Sequence, residues 1–170
     1  MAPRSFEDTV LPHLDAAFNY ARWLTRDDAE AEDVVQEACV RAMRFFASLR
    51  HEDARGWLLT IVRNTWFNYV SRRPRIMEAT QVEDGPNDPA DEGLDPEAQL
   101  LQQYTVARVR AAIEELPADF REVLVLREIE GLSYKEIAVV VCVPVGTVMS
   151  RLSRARERLL DALKPMEVLP

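Results

Sequence analysis

The densest group of anion-binding side chains lies near the end of the chain, in the stretch CVPVGTVMSRLSRARERL. Its arginines stand at positions 151, 154, 156 and 158, and its single acid is Glu157. Arginine can donate two hydrogen bonds to a guanine edge and can also pair with phosphates. This composition favours contact with nucleic acid, although an amphipathic helix with a solvated basic face would show the same charges.

A helix over about 145–163 would bury an apolar stripe and turn small and basic side chains outward. Arg154 and Ser150 lie on the outer side, where they can read base edges, whereas Arg156 lies nearer the edge of the stripe, where phosphates are the better target. The candidate DNA contacts are Thr147, Met149, Ser150, Arg151, Ser153, Arg154 and Arg156.

The residues before this helix predict the element that positions it. Gly131 is a helix stop, and Ser133 followed by Glu136 forms a capping box for a helix that runs to about Val141. A short turn over 142–144 then leads into the basic helix. Helix, short turn and helix is the arrangement that places a second helix in a DNA major groove.

A second candidate surface lies in RGWLLTIVRNTWFNYVSRR, within a predicted helix over about 53–73. An outward aromatic ring beside basic and amide groups suits unpaired bases, because every base offers a face for stacking. The alternative is a core aromatic with a basic rim. The candidate residues are Arg63, Asn64, Phe67, Ser71, Arg72 and Arg73.

A third surface lies on a predicted helix over about 28–49. Asp33, Gln36 and Glu37 share its polar side, opposite an apolar stripe that includes Val34 and Ala38. A solvated polar face is the simplest interpretation. An enzyme is disfavoured, because no histidine, metal-ligand set or glycine-rich loop accompanies these carboxylates. No metal and no cofactor are expected.

The position of the charges divides the chain. The net charge is −8, and all of it falls in residues 78–98, which hold eight acids and no base. A segment of that composition buries too little apolar surface to offset its ordering entropy, so it is predicted to be a flexible linker. The fold is predicted to be all-α, with two small helical domains, 1–77 and 99–170, joined by the linker 78–98.

The remaining helices are predicted from periodicity and breakers, over about 5–25, 96–115 and 118–129. Cys39 and Cys142 both stand among apolar residues and are interpreted as buried free thiols. The sequence shows no apolar run long enough to span a membrane and no signal peptide, which predicts a cytoplasmic location without membrane insertion.

Three segments together resemble the sigma factors of bacterial RNA polymerase, and the short two-domain plan resembles the extracytoplasmic-function group. They are DVVQEACVRAMRFF, ARGWLLTIVRNTWFNYVSRR and LPADFREVLVLREIEGLSYKEIAVVVCVPVGTVMSRLSRARERL. The resemblance covers about 10–75 and 98–163. It implies a non-enzymatic initiation subunit that directs promoter-specific transcription.

The resemblance also implies roles for the three surfaces. Asp33, Gln36 and Glu37 match the segment that docks on the beta-prime coiled coil of core RNA polymerase. The surface around Asn64 matches the segment that reads and opens the minus-10 element, and the last helix matches the reader of the minus-35 element. The implied partners are core polymerase, through the beta-prime coiled coil and the beta flap, promoter DNA and an anti-sigma factor.

Two positions depart from the pattern of the family. Cys142 stands where the turn usually carries glycine, which costs about 1 kcal/mol if that backbone has a positive φ. Met149 stands where a basic residue is frequent, and it could contact a thymine methyl group instead. The rival hypothesis is a sigma-like mimic that binds an anti-sigma factor without binding DNA. The retained Arg63, Asn64 and Arg154 favour a true sigma factor.

Overall fold

The computed structural model describes residues 4–49, 53–72, 93 and 95–164. Every regular element in these ranges is helical, which confirms the all-α prediction. The helices are α1 (Phe6–Val10), α2 (Leu14–Thr25), α3 (Asp28–Phe45), α4 (Ala54–Arg72), α5 (Pro96–Glu114), α6 (Ala118–Leu124), α7 (Tyr134–Val141) and α8 (Val145–Leu163).

Three predicted helices are interrupted or altered. The helix expected over 5–25 is divided by a 3₁₀ turn at Leu11–His13, which contains Pro12 near its start. Proline lacks a backbone N–H and so cannot continue the ladder of the helix before it. Helix α3 ends at Phe45 and passes into a second 3₁₀ turn, Phe46–Ser48, and α6 continues as a π-helical turn over Val125–Ile129.

The helix ends follow from local chemistry. The side chains of Ser5, Asp27 and Asp95 each accept a hydrogen bond from the backbone N–H three residues later, at the starts of α1, α3 and α5. Ser133 and Glu136 form the predicted capping box at the start of α7, with both reciprocal hydrogen bonds present. Gly131 has φ of +70°, as expected for a residue that ends a helix in the left-handed region.

The core is continuous through the described parts of the chain. Helices α2, α3 and α4 pack against one another, α8 packs on α6 and α7, and α4 also packs against α7. Buried side chains from both groups, among them Leu58, Val62, Ile137 and Leu152, belong to one hydrophobic cluster. The N-terminal half (α1–α4) and the C-terminal half (α5–α8) therefore cover part of each other's surface. Most of the predicted linker, 78–98, lies outside the described residues.

The described helices were also compared with the length and apolarity that a membrane span requires. None of them meets both requirements alone. Helices α7 and α8 meet them only when joined, across a bend of 100°.

Candidate nucleic-acid interface

Helices α7 and α8 form the predicted helix–turn–helix. The two helices meet at 100°, within the range that this motif uses. Between them Cys142 adopts the left-handed conformation, with φ of +56° and ψ of +46°. The N–H groups of Cys142 and Val143 both donate to the carbonyl of Ala138, so the turn satisfies the end of α7. Cys142 therefore has the positive φ on which the cost of a non-glycine residue in this turn depends.

The outer face of α8 is open to solvent. Met149 is 53% exposed, and Ser150, Ser153 and Arg154 are exposed beside it. Arg154 forms no hydrogen bond or ion pair within the part of the chain that the structure describes. The opposite side of the helix buries Val148, Leu152 and Ala155, which fix the rotation of α8. This geometry leaves one arginine exposed between small side chains, an arrangement that can reach base edges.

Two other arginines stand at the edges of that face and are held by acids of the same half. Arg156 donates from Nε and Nη2 to Glu128 Oε1, at 2.9 and 2.6 Å. Arg151 lies 3.9 Å from Asp119, and its side chain is only 24% exposed. Thr147 is half-buried on the Arg151 side. Arg154 is therefore open to solvent, whereas Arg151 and Arg156 on either side of it lie next to acidic side chains.

Part of the predicted α4 surface is also open. Asn64 is exposed, and Phe67 is 47% exposed on the same side of the helix. Ser71 and Arg72 are exposed at the end of α4, where the Ser71 hydroxyl donates to the carbonyl of Asn68. Arg73 lies outside the described residues.

Arg63 lies at the boundary between the two halves, so the expectation that it faces outward with Asn64 is wrong in this structure. Its Nε donates to Glu122 Oε1 at 2.5 Å and its Nη2 to Oε2 at 3.4 Å. Its guanidinium also lies 4.5 Å from the centroid of Phe67. Glu122 comes from α6 and is 6% exposed. The C-terminal half therefore supplies the partner of a candidate DNA-binding arginine.

Tyr20, from α2, completes this cluster. Its hydroxyl donates to the same oxygen, Glu122 Oε1, at 2.5 Å, and its side chain is fully buried. Burial raises the pKa of Tyr20 well above its ordinary value, and the charge of Glu122 raises it further. Burial alone would lower the pKa of Arg63, but the hydrogen bond and charge of Glu122 outweigh it and raise that pKa. Both shifts keep the proton on the donor.

A second polar contact joins the halves beside the first. Arg55, at the start of α4, donates to the backbone carbonyl of Glu130 at 3.0 Å and lies 3.7 Å from the Glu136 carboxylate. Oε1 of Glu130 is buried without a hydrogen-bond partner within the described residues, and burial raises the pKa of this carboxyl. Arg55 lowers that pKa and so opposes the effect of burial.

The predicted polar face of α3 is present as a unit. Asp33, Gln36 and Glu37 are all exposed, while Val34 and Ala38 on the other side are buried. Glu37 pairs with Arg41 at 2.8 Å, one turn further along. Val40 and Met43, both more than half exposed, add apolar side chains to this surface.

A groove of about 880 Å³ lies between the N-terminal and C-terminal halves. Trp23 and Arg22 of α2 line one wall, and Val106 and Arg110 of α5 line the other. Arg26 spans the groove and donates to the carbonyl of Glu114. No local sequence pattern encodes this groove, because it depends on how the halves pack.

The two cysteines are unpaired. Cys39 is half-buried, and burial raises the pKa of its thiol. Cys142 is exposed, which contradicts the interpretation that both are buried. Its place in a tight turn between two helices turns the side chain toward solvent despite its apolar neighbours in sequence.

A helix–turn–helix beside a second exposed aromatic and amide-bearing helix is typical of DNA-binding transcription proteins. Residues 9–76 match the family described as Sigma-70 region 2, and residues 107–159 match Sigma-70, region 4. The chain is 39% identical to the RNA polymerase sigma-H factor of Pseudomonas aeruginosa, over 96% of this chain and 88% of that one. It is 40% identical to the ECF RNA polymerase sigma-E factor of Escherichia coli K12, over 81% and 75%. The chain belongs to the sigma-70 family, in its extracytoplasmic-function group.

Solved structures agree with this assignment. The sigma factor RpoE of Bartonella quintana, solved with the anti-sigma factor NepR, matches with a TM-score of 0.74 and 30% identity, over 96% of this chain and 98% of that one. CnrH, solved in complex with the cytosolic domain of CnrY, matches with a TM-score of 0.66 and 27% identity, over 95% and 89%.

Proposed function

We propose that this chain is an alternative sigma factor that binds core RNA polymerase and directs promoter-specific initiation of transcription, without an enzymatic activity of its own. The observation that carries the proposal is the pairing of two open nucleic-acid faces, on α4 and α8, in a chain that matches both sigma-70 regions. Its place of action is the cytoplasm, where core polymerase meets promoter DNA.

The faces divide the work by geometry. Helix α8 enters the major groove of the minus-35 element, with Arg154 and Ser150 on base edges and Thr147, Arg151 and Arg156 near phosphates. On α4, Phe67 stacks on an unpaired base of the minus-10 element and Asn64 hydrogen-bonds to it, with Ser71, Arg72 and Arg73 along the backbone. Arg63 joins this surface once it leaves Glu122.

Run-off transcription tests the function directly. Core polymerase with this chain is expected to initiate at a defined set of genomic promoter fragments, and core polymerase alone is not. The matched control is a chain with Asn64→Ala and Arg154→Ala, which keeps every buried side chain. A chain that binds core polymerase but supports no transcript on any fragment contradicts the proposal.

The α3 face is proposed to dock on core polymerase. Exposed carboxylates and an amide next to the apolar Val40 and Met43 provide both charge and contact area for a helical partner. Glu37→Lys with Gln36→Ala is expected to weaken core binding by about 2–5 kcal/mol, the effect of losing a charge pair at an interface. Glu32→Lys, exposed on the same helix, is the control. Equal affinity of all three chains in a pull-down titration contradicts the assignment.

A mimic that sequesters an anti-sigma factor is the second candidate. It would have no use for Arg154, which is exposed on α8. The transcription assay separates the two, because a mimic gives no transcript and instead restores transcription by another sigma factor that its anti-sigma factor inhibits.

An anti-sigma factor is the proposed regulator of this chain, and the groove between the halves is its proposed docking site. Two structural relatives were solved with protein partners, RpoE with the anti-sigma factor NepR and CnrH with the cytosolic domain of CnrY. Val106→Asp, on the wall of the groove, is expected to weaken binding of the anti-sigma factor. Leu101→Asp is the control, because Leu101 is exposed on α5 and does not line the groove. If no protein that co-purifies with the chain inhibits its transcription, regulation by abundance is the better account.

A further inference from the structure

One carboxylate of the C-terminal half receives two donors of the N-terminal half. Tyr20 of α2 and Arg63 of α4 both donate to Glu122 Oε1, and Arg63 also reaches Oε2. We propose that Glu122 is an internal stand-in for a DNA phosphate, which keeps Arg63 from the minus-10 strand while the halves are closed. The proposal rests on the proposed function of α4.

The chemistry of the donors supports a competition between Glu122 and a phosphate. A guanidinium presents two parallel N–H groups, and this geometry fits either a carboxylate or a phosphate. In the closed chain Glu122 takes both of them. A phosphate of the minus-10 strand can therefore reach Arg63 only after the pair separates, and Glu122 is then a positioning residue for DNA binding.

Because the cluster is buried, its ion pair stabilises the contact between the halves only weakly. The side chain of Glu122 is 5% exposed and that of Arg63 is 18% exposed, so both charges have lost most of their water. A buried ion pair gains little over its solvated partners, because desolvation offsets the attraction. Removing one partner leaves the other charge buried and unpaired, a state that opening of the halves relieves. The cluster therefore favours closure only while all three groups are present.

Phe67 connects the cluster to the DNA face of α4. The Arg63 guanidinium bridges Glu122 on one side and the Phe67 ring on the other. Movement of Arg63 toward a phosphate consequently changes the support of the ring that is proposed to stack on a base. Release of Glu122 and binding of the unpaired strand are thus linked through one side chain.

The test uses the full chain with Glu122→Gln and, separately, Tyr20→Phe. Two quantities are measured, the radius of gyration by X-ray scattering and the affinity for a fluorescent single-stranded minus-10 oligonucleotide. Glu122→Gln is expected to enlarge the radius and to tighten oligonucleotide binding about tenfold, because apparent affinity rises with the fraction of chains in the competent state. Tyr20→Phe is expected to act in the same direction by about threefold.

Asp161→Asn is the matched control, because it removes a carboxylate that also pairs with a cation, Lys164, but within the C-terminal half and away from the proposed DNA contacts. It is expected to leave both quantities unchanged. If both variants at the cluster keep the wild-type radius and oligonucleotide affinity, the proposal is overturned. If Glu122→Gln fails to fold, Tyr20→Phe decides alone. An enlarged radius without any oligonucleotide binding by any variant would instead contradict the minus-10 role of α4.

Discussion

Helices α4 and α8 carry the two proposed DNA-reading surfaces, and the two surfaces differ in how much of each is open to solvent. On α8 the reading face is fully open, and its flanking arginines pair with acids of the same half. On α4 only Asn64 and Phe67 are open, while Arg63 pairs with Glu122 of the opposite half. Helix α8 is ready to bind as it stands, whereas α4 is ready only in part.

The difference fits the substrates that the two helices would meet. The minus-35 element is read as a duplex, whose groove exists before the protein arrives. The minus-10 element must be unpaired first, at an unstacking cost of a few kcal/mol per base. A surface that stays partly covered until the halves separate binds little stray single strand. Covering α8 in the same way would only hinder its binding to the minus-35 duplex.

The largest expected effect comes from the exposed ring on α4. Phe67→Ala should slow open-complex formation on duplex promoter by roughly 10- to 100-fold, from the loss of about 1–3 kcal/mol of stacking on one base. A pre-melted bubble template should recover part of that loss. Leu11→Ala, which also shortens a partly exposed apolar side chain but lies outside α4, is the control. Equal defects on duplex and bubble templates would show that Phe67 does not act in melting.

The open face of α8 should give an effect of comparable size, which depends on the promoter sequence. Arg154→Ala is expected to cost about 1–3 kcal/mol and to relax preference at one minus-35 position. Arg156→Ala should weaken binding to all DNA sequences alike. It should also lower, by about one, the slope of log affinity against log salt concentration. Binding of the full chain to minus-35 variants at several salt concentrations measures both. Identical losses across all variants would reduce α8 to an electrostatic clamp.

The predictability of the two helices from sequence differed for a physical reason. On α8 the apolar stripe of Val148, Leu152 and Ala155 fixes the outward face, so local periodicity placed Arg154 correctly. The same reasoning failed for Arg63, because its surroundings come from α6, about 60 residues away in the chain. A glutamate next to the apolar run Val123–Leu126 was the available signal of a buried pair, and it did not name the partner.

The turns followed the same division. Gly131 and the capping box act through neighbours in sequence, and both were predicted correctly. The exposure of Cys142 and the groove at Trp23 depend on how helices pack, which no local pattern encodes. The boundaries of the predicted domains 1–77 and 99–170 stay a prediction, since the described halves share one core.

Helix α7 packs against both α4 and α8. Two residues in the left-handed conformation flank it, Gly131 before its start and Cys142 after its end, and both should affect the stability of the fold. Cys142→Gly is expected to raise the free energy of unfolding by about 1 kcal/mol, because glycine adopts this conformation without strain. Gly131→Ala should lower it by about the same amount, with no steric clash, since an added Cβ meets no atom within 4 Å. Urea unfolding measures both, and a Cys142→Gly chain no more stable than the wild type would contradict the strain argument.

The smallest effect should come from Glu130, beside the contact of Arg55 with the C-terminal half. Because burial raises its pKa, the wild-type chain loses stability as the pH rises above the ordinary range of a glutamate, near about 4.3. Glu130→Gln should therefore be more stable by up to about 1 kcal/mol at pH 7, the penalty of one unpaired buried oxygen. The gain should vanish toward pH 4. A gain that is the same at both pH values would contradict the titration.

The measurement that tests the contrast most directly is binding of two oligonucleotides by the wild-type chain, free and in complex with core polymerase. One is a minus-35 duplex and the other a minus-10 single strand, both at fixed salt. The account predicts that the free chain binds the duplex with measurable sequence preference and the single strand weakly, and that core polymerase strengthens single-strand binding far more than duplex binding. Equal strengthening of both, or a free chain that already binds the single strand as tightly as the complex does, would contradict it.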